Sequence, residues 1–132
     1  MSNPDIRWKQ RFKNFEGALQ NLKESIAQKQ HSDLEKAGVI QYYEFTFELG
    51  WKTIKDYLEE REVIAQFPRD VIREGFSYNI IRDGDVWLDM LQKRNLMSHT
   101  YNKRNAALAF SLIIDSFIFE LEDVYATLKK EE

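Results

Sequence analysis

Large apolar side chains recur every three or four residues along most of the 132-residue chain, a spacing that places them on one face of an α-helix. The first stripe consists of Trp8, Phe12, Phe15, Leu19, Leu22 and Ile26. It follows Asn3, which can cap a helix, and Pro4, whose missing N–H needs no partner in a first turn. The pattern therefore predicts a first helix with one apolar face, suited to packing in a bundle.

A second helix is predicted from Ser32 to about Arg61, because Ser32 and Glu35 can form a capping box and no proline interrupts the segment. Its first apolar face consists of Ile40, Tyr43, Phe47, Trp51, Ile54 and Leu58. A second apolar side consists of Tyr42, Phe45 and Leu49. One neighbouring face cannot cover both, so we expect this helix to contact either two neighbours in its own bundle or a second subunit.

Turn-forming residues separate the second helix from the next long one. Residues 62–67 read as a loop, and Pro68 begins a short accessory helix that extends to about Tyr78. Asp83-Gly84-Asp85 then turns the chain, and we interpret Asp83 and Asp85 as helix caps, not as metal ligands. They open a third long helix whose bundle-facing positions are Trp87, Leu91, Arg94, Ser98 and Tyr101.

A final helix begins near Asn102 and continues almost to the last residue of the sequence. Its apolar stripe consists of Ala107, Phe110, Ile114, Phe117, Leu121, Val124 and Leu128. Four long amphipathic helices with mostly short connections are typical of an up-down-up-down bundle. The sequence therefore predicts an all-α fold, a four-helix bundle with one short accessory helix, as a single domain over residues 1–132.

Composition narrows the classes of function. The chain has no cysteine, which excludes disulfides, zinc–thiolate sites and thiol nucleophiles, and we expect neither a metal nor another cofactor. No run of about 18 apolar residues occurs, and the first residues lack the basic stretch and apolar core of a signal peptide. We therefore expect a cytoplasmic protein with no membrane contact.

Charge is distributed unevenly along the chain. The net charge is −3, yet no Asp or Glu lies between Asp89 and Asp115, so that this stretch carries +4 and the rest −7. The positive charges are those of Lys93, Arg94, Lys103 and Arg104. With no carboxylate nearby in the sequence, we expect this stretch to bind an anionic ligand.

Common catalytic signatures are missing from the sequence: there is no P-loop, dinucleotide-binding glycine pattern, His-Glu-x-x-His or Gly-x-Ser-x-Gly. A nucleotidyltransferase catalytic domain carries Gly-Ser or Gly-Thr followed by paired acids. The five glycines of this chain are followed by Ala, Val, Trp, Phe and Asp. The chain is therefore not that enzyme by itself.

One cluster could carry phosphate chemistry, the run Arg94-Asn95-Leu96-Met97-Ser98-His99-Thr100-Tyr101. Arg94 can hold a phosphoryl group through two hydrogen bonds, and His99 can exchange a proton near neutral pH. Tyr101 can donate a hydrogen bond or accept a transferred group. Each also has an ordinary structural reading: Arg complements a helix dipole, His caps carbonyls and Tyr anchors packing.

Helix geometry restricts how these side chains can meet. At about 100° per residue, Arg94 and Tyr101 nearly eclipse on a continuous helix, whereas His99 lies about 140° away from Arg94. A site within one chain needs the helix to break before His99. Otherwise, copies of these residues from two subunits must combine across a two-fold axis.

Arg94-x4-His99-x-Tyr101 resembles the Arg-x4-6-His motif of HEPN domains, in the Arg-x4-His-x-Tyr form of the HepT and nucleotidyltransferase substrate-binding branch. Longer blocks resemble the substrate-binding-protein branch in particular. These blocks are Arg11-Phe12, Leu34 to Gln41, Glu44 to Thr53, Pro68 to Glu74 and Trp87 to Met90. Together they extend over most of residues 11–101.

The resemblance implies a dimeric four-helix bundle that works with a small, separate nucleotidyltransferase, which supplies the metal-binding catalytic carboxylates. In related toxin–antitoxin pairs the HEPN member is a metal-independent RNase. Its partner silences it by transferring AMP to the motif tyrosine, which corresponds to Tyr101 here.

Three hypotheses follow: a substrate-binding, non-catalytic subunit, which we rank first, an endoribonuclease that uses Arg94 and His99, and a purely structural helical dimer. The further candidate substrate-binding residues, besides Arg94, His99 and Tyr101, are Lys93, Asn95, Lys103, Arg104, Glu44, Glu48, Trp51 and Lys52. Glu44, Glu48 and Lys52 share one face of the second helix, where they either line a groove or form a solvated row of ion pairs.

Overall fold

The computed structural model describes residues 3–132, so Met1 and Ser2 of the predicted domain lie outside the described part. Its α-helices are α1 Pro4–Ile26, α2 Asp33–Glu60, α3 Pro68–Ser77, α4 Gly84–Gln92, α5 Arg94–Met97, α6 Lys103–Leu112 and α7 Ile118–Lys129. A π-helical turn, Ile113–Phe117, joins α6 to α7. Residues 3–132 contain no β-strand, which confirms the predicted all-α class.

Side-chain caps begin the long helices where the sequence predicts them. The Asn3 side chain accepts a hydrogen bond from the backbone in the first turn of α1. Ser32 and Glu35 exchange both bonds of a capping box at the start of α2. Asp83 caps α4, and Asn102 caps α6. These bonds satisfy N–H groups that would otherwise have no partner within the helix.

The core lies between α2 and the helices that surround it. All six predicted residues of the first apolar face of α2 are buried, as are the predicted residues of α1 except Ile26, which is half-buried. A Cβ at Gly50 would lie 3.2 Å from the Phe15 ring and 3.5 Å from the Trp87 ring. Glycine at this point therefore lets α1 and α4 pack closely against α2.

The neighbours of α2 account for one of its two apolar sides. It packs against α1, α3, α6 and α7, and Phe47 contacts Trp87 of α4 with ring centroids 5.7 Å apart. On the other side, Tyr42 and Phe45 stay exposed and Leu49 is half-buried. The neighbours in the bundle therefore leave this second apolar side largely uncovered.

The prediction of a third long helix is wrong. The helix ends at Gln92, and after a break at Lys93 the short α5 occupies Arg94–Met97. A continuous helix would direct polar Arg94 and Ser98 at the bundle. The break instead buries Met97, because apolar surface gains more from burial than a guanidinium or a hydroxyl does.

The apolar stripe of the final helix differs from the predicted one near its middle. Ala107 is exposed and Ile114 is only half-buried, whereas Ile113 and Ile118 are buried. Ile113 and Ile114 belong to the π-helical turn, whose wider spacing places Ile113 and not Ile114 in the core. Ala107 precedes that turn, and the buried alanine there is Ala109. The other predicted residues of the stripe are buried: Phe110, Phe117, Leu121, Val124 and Leu128.

Candidate functional site

The motif residues occupy a break in the bundle between α4 and α6. Arg94 is the first residue of α5, while His99 and Tyr101 lie in the turn that follows Met97. The helix therefore ends before His99, as a site within one chain requires. His99 is exposed, the Tyr101 side chain is 88% exposed, and their ring centroids lie 6.0 Å apart.

Backbone contacts hold this turn while both rings face solvent. The N–H of His99 donates to the carbonyl of Leu96 at 3.0 Å. The side-chain amide of Asn105 donates to the carbonyl of His99 at 2.9 Å. The imidazole is thus presented from a fixed backbone, as an acid–base group or a ligand contact needs.

Arg94 is held by a carboxylate from a distant part of the sequence. Its Nε donates to Glu48 Oε2 at 3.1 Å, and its Nη2 donates to Glu48 Oε1 at 2.5 Å. The indole N–H of buried Trp51 also donates to Glu48 Oε1, at 3.3 Å. Trp51 therefore orients Glu48, and Glu48 in turn orients the guanidinium.

A cleft with a volume of about 220 Å³ lies beneath this ion pair, between α2, α4 and α5. It is lined by Tyr43, Glu44, Phe47, Glu48, Met90, Arg94 and Met97. The Tyr43 hydroxyl is buried and has no hydrogen-bond partner among residues 3–132. Sequence analysis missed Tyr43, Met90 and Met97 as lining residues, since Tyr43 belongs to an apolar stripe and methionine carries no site signal.

Burial raises the pKa of two cleft residues. Burial, assisted by the nearby charges of Asp89, Glu48 and Glu44, raises the pKa of Tyr43 well above its usual value of 10.0. Burial also raises the pKa of Glu44, and the neighbouring charge of Glu48 adds to the effect. Both shifts favour the neutral form, because a charge is poorly solvated there.

The basic stretch is not isolated from carboxylates, which corrects the expectation drawn from the sequence. Lys93 pairs with Asp89 at 2.7 Å, and Lys103 pairs with Asp33 at 3.6 Å. With Arg94 bound to Glu48, only Arg104 of these four cations has no ion-pair partner within the described range 3–132. Asp33 and Glu48 come from α2, which a local count of charge cannot include, whereas Asp89 lies one helical turn before Lys93, at the edge of the stretch.

The comparisons with known proteins give the family. A profile of the family described as "Nucleotidyltransferase substrate binding protein like" matches residues 10–130. The chain belongs to this family. The match includes the motif as well as the α2 residues that line the cleft.

Relatives and solved structures agree with this assignment. The chain is 33% identical over 89 residues to a protein of Haemophilus influenzae named "Probable ribonuclease HepT". That alignment extends over 64% of this chain and about 60% of the length of the curated relative. A crystal structure from Thermus thermophilus has a TM-score of 0.79 at 34% identity, covering 86% of this chain and 98% of the other.

A second solved structure carries a functional description. HI0074 of Haemophilus influenzae has a TM-score of 0.77 at 27% identity, and 89% of this chain and 98% of that chain are covered. It is described as revealing the fold of a substrate-binding domain of a nucleotidyltransferase. The fold of this family member is therefore shared with a domain for which substrate binding is the stated role.

Some of the remaining predicted site residues line a second, larger concavity. Glu44, Glu48 and Lys52 line a groove of about 690 Å³ between α1 and α2. Lys52 places its ammonium 5.8 Å from the centre of the Trp51 ring. Trp51 itself is buried and supports Glu48, while Asn95 is exposed on α5. The acidic ridge of Glu44 and Glu48 thus separates the groove from the cleft.

The described part of the chain offers neither a metal cluster nor a membrane span. Residues 3–132 contain no group of three or more His, Asp or Glu side chains placed to hold a metal ion. Within that range, no helix has the length and apolar character needed to cross a membrane. Asp83 lies at the start of α4 and accepts a hydrogen bond from the Val86 N–H at 3.1 Å, as a cap does.

Proposed function

We propose that this chain is the substrate-binding, non-catalytic subunit of a separate small nucleotidyltransferase. The observation that carries the proposal is the cleft beneath Arg94 and Glu48, where a few polar groups converge among apolar walls. Such an arrangement is typical of ligand sites. The family description and the stated role of HI0074 support the same function.

Arg94 is suited to exchange its carboxylate for a phosphoryl group. The guanidinium already makes two hydrogen bonds to two oxygens of Glu48, and a phosphate presents oxygens in the same fork geometry. Both side chains are partly exposed, so the pair is weak enough for a ligand to compete with it. The cleft would then present the substrate while the partner enzyme supplies metal and catalytic carboxylates.

Co-expression with a small nucleotidyltransferase, which we expect to be encoded beside this chain, tests the proposal. We expect the two proteins to co-purify, and we expect Arg94→Gln to keep the complex but lose nucleotide transfer. Arg61→Gln is the matched control, because Arg61 binds Glu131 at the far end of α2, about 20 Å along the helix from Glu48. The absence of any complex with wild-type chain would refute the subunit role.

We propose further that the functional form is a homodimer joined at the groove between α1 and α2. Exposed Tyr42 and Phe45, with half-buried Leu49, lie at helical spacing on one side of α2 and give this face a joined apolar surface, which is typical of an interaction site. A second copy on the same face would cover these side chains in both chains, as the self-complementary contact of a two-fold axis does.

Sedimentation at micromolar concentration tests the dimer. We expect a mass near twice the 15.8 kDa of the chain, and we expect Phe45→Ser to shift it toward the monomer. Phe119→Ser is the control, because Phe119 is equally exposed but lies on α7. A wild-type monomer would remove the case for a composite site across a two-fold axis.

An endoribonuclease is the second candidate function, and the name of the curated relative together with the exposed His99 favours it. His99 would assist removal of the ribose 2′-OH proton or protonation of the leaving oxygen, and Arg94 would stabilise the phosphorane charge. Two protomers would supply the acid–base pair. Cleavage of single-stranded RNA without added metal, abolished in His99→Ala, is the expected result.

In this second candidate function, Tyr101 is the acceptor of AMP. Its phenol is exposed in a turn, where a partner active site can reach it. The phenolic oxygen would attack the α-phosphorus of ATP, pyrophosphate would leave, and the proton would pass to a base of the enzyme. Intact-mass measurement after incubation with the partner, Mg²⁺ and ATP should show an added AMP that Tyr101→Phe loses and exposed Tyr78→Phe keeps.

A further inference from the structure

The hydroxyl of Tyr43 is the unexplained polar group of the cleft. It is almost wholly buried and has no hydrogen-bond partner among the described residues. Its ring packs against Phe47 and Phe117, with centroids 6.2 Å and 5.7 Å away, so apolar packing alone would be served equally well by phenylalanine. Because an unpaired buried hydroxyl costs free energy, its position beside a cleft points to a ligand as the partner.

The size of the cleft restricts that ligand. Pockets for drug-sized molecules have volumes of about 300–1,000 Å³. At about 220 Å³ this cleft admits one ring system, not a whole nucleotide. The walls suit a flat aromatic ring, because Phe47 gives an aromatic surface and Met90 and Met97 give polarizable sulfur atoms.

The polar groups of the cleft define the edge of that ring. Tyr43 can donate its O–H, and the next residue, Glu44, offers a half-buried carboxylate with no hydrogen bond or ion pair elsewhere in residues 3–132. One donor and one two-oxygen acceptor, supplied by adjacent residues that line the same cleft, would complement a base edge with one acceptor beside two N–H donors. Guanine has that edge, since O6 accepts while N1–H and N2–H₂ donate in the same direction.

Charge keeps the phosphate outside the cleft. Glu44 and Glu48 would repel a phosphoryl group within it, whereas Arg94 lies at its mouth. A base inside and a phosphate outside therefore match the distribution of charge.

We propose that the cleft lined by Tyr43, Glu44 and Phe47 binds a guanine base, with the phosphate of the same nucleotide on Arg94. The inference rests on the proposed function, because it names the substrate class of the same site. The guanine belongs either to a free nucleotide or to an unpaired nucleotide of RNA. These two sources share the recognition chemistry, and the experiment separates them.

Calorimetric titration of the full chain with 5′-GMP, 5′-AMP, 5′-CMP and 5′-UMP tests the base. We expect 5′-GMP to bind at least ~10-fold more tightly than 5′-AMP, which is the discrimination that unpaired polar groups in a site give. Tyr43→Phe and Glu44→Gln should each reduce this ratio to below ~3-fold. Tyr78→Phe and Glu24→Gln are the controls, because both residues lie outside the cleft and outside the proposed dimer face.

We expect both variants to fold, so a change in nucleotide binding reports on the cleft and not on misfolding. Phenylalanine keeps the packing of Tyr43 and removes an unpaired hydroxyl, and Glu44 is only half-buried, so both variants should melt cooperatively as the wild type does. Equal binding of all four nucleotides, or an unchanged ratio in both variants, overturns the proposal. Should Tyr43→Phe fail to fold, the Glu44→Gln ratio decides alone.

Short single-stranded oligoribonucleotides identify the source of the guanine. An oligoadenylate containing one guanosine that binds at least ~10-fold more tightly than 5′-GMP indicates RNA, because additional phosphates contribute. Equal or weaker binding of the oligonucleotide indicates a free nucleotide.

Co-purification of the same variants with the nucleotidyltransferase separates the guanine-binding proposal from the proposed subunit role. An intact complex that shows no preference for guanine refutes only the guanine-binding proposal, whereas the absence of a complex refutes the subunit role.

Discussion

Two of the arginine–carboxylate pairs that join α2 to other helices differ mainly in burial. Arg11 of α1 bonds Asp56 at 2.7 Å, with a carboxylate only 5% exposed and an arginine 34% exposed. Arg94 of α5 makes a bidentate pair with Glu48, and the side chains of Arg94 and Glu48 are 45% and 35% exposed. The same chemical groups therefore lie in two different environments on the same helix.

This difference separates a structural contact from one that a ligand can replace. A buried carboxylate that loses its partner is neither hydrated nor paired, which costs several kcal/mol. The folded bundle therefore needs Arg11 to stay bonded to Asp56. Glu48 and Arg94 can each turn to water, so parting them costs little. Hydrogen-bond geometry alone would predict that the bidentate Arg94–Glu48 pair contributes more to stability. Burial reverses this order, because Asp56 is buried and Glu48 is not.

Breaking the buried pair should give the largest effect. We expect Arg11→Met to lower the free energy of unfolding by about 3 kcal/mol, because Asp56 stays buried without a partner. Urea denaturation, with an unchanged dependence on urea concentration, measures the loss. Arg7→Met is the matched control: Arg7 is also on α1 but bonds the partly exposed Glu59, and its loss should be below about 1 kcal/mol. A loss below about 1 kcal/mol for Arg11→Met would contradict the comparison.

Removing the charge of the exposed pair should change binding more than stability. In Glu48→Gln the guanidinium of Arg94 loses its anionic partner and is free to bind the phosphate of the nucleotide. We therefore expect 5′-GMP to bind several-fold more tightly, a gain in binding free energy of about 1 kcal/mol at most. The free energy of unfolding should change by less than about 1 kcal/mol. Weaker binding would show that Glu48 orients Arg94 for the ligand and does not compete with it.

Asp56→Asn extends this test to the buried pair with the same kind of substitution. It should lower the free energy of unfolding by about 2 kcal/mol, because Arg11 is left without its anion at a site where an amide cannot replace the charge-assisted bond. Nucleotide affinity should not change, since Asp56 does not line the cleft. A similar stability loss for Asp56→Asn and Glu48→Gln would remove the distinction between the two pairs.

Local sequence signals predicted most of the fold correctly. Caps such as Ser32 and Asp83, together with regular apolar spacing, depend on neighbours within a few residues, so the order of helices and the core of α1 and α2 followed directly. The errors occurred at Lys93 and near Ile113, where packing of the whole bundle decides the backbone. The break at Lys93 allows Met97 to be buried, and the π-helical turn allows Ile113 to be buried. The local sequence contains no signal for either irregularity.

Only the part of the candidate site that lies within one segment was predictable. The sequence indicated the motif from Arg94 to Tyr101, but it extended the third helix to Tyr101 and left open whether the helix breaks before His99 or two subunits combine. The structure has the break. The pairing of Arg94 with Glu48 joins residues 46 positions apart and has no sequence signal. Tyr43 looks like any other member of an apolar stripe, and only the structure reveals its unpaired hydroxyl.

The smallest expected effect concerns a third polar contact, on the side of α1 that faces α7. The Tyr125 hydroxyl donates to Glu16, and this hydrogen bond holds the pKa of Glu16 below its usual value of 4.5. A carboxyl whose pKa is lower in the folded state contributes stability that is present above about pH 4.5 and is lost as the pH falls through the folded value.

Tyr125→Phe should remove that contribution while retaining the ring stack on Phe12, whose centroid is 5.3 Å away. We therefore expect wild type to exceed Tyr125→Phe in stability by less than about 1 kcal/mol at pH 7, because both partners are partly exposed. The difference should shrink as the pH falls below about 4.5. Urea denaturation at pH 7, 5 and 3 measures the difference. A difference of the same size at pH 7 and pH 3 would assign the effect of Tyr125 to packing of the phenol and not to its bond with the ionised Glu16.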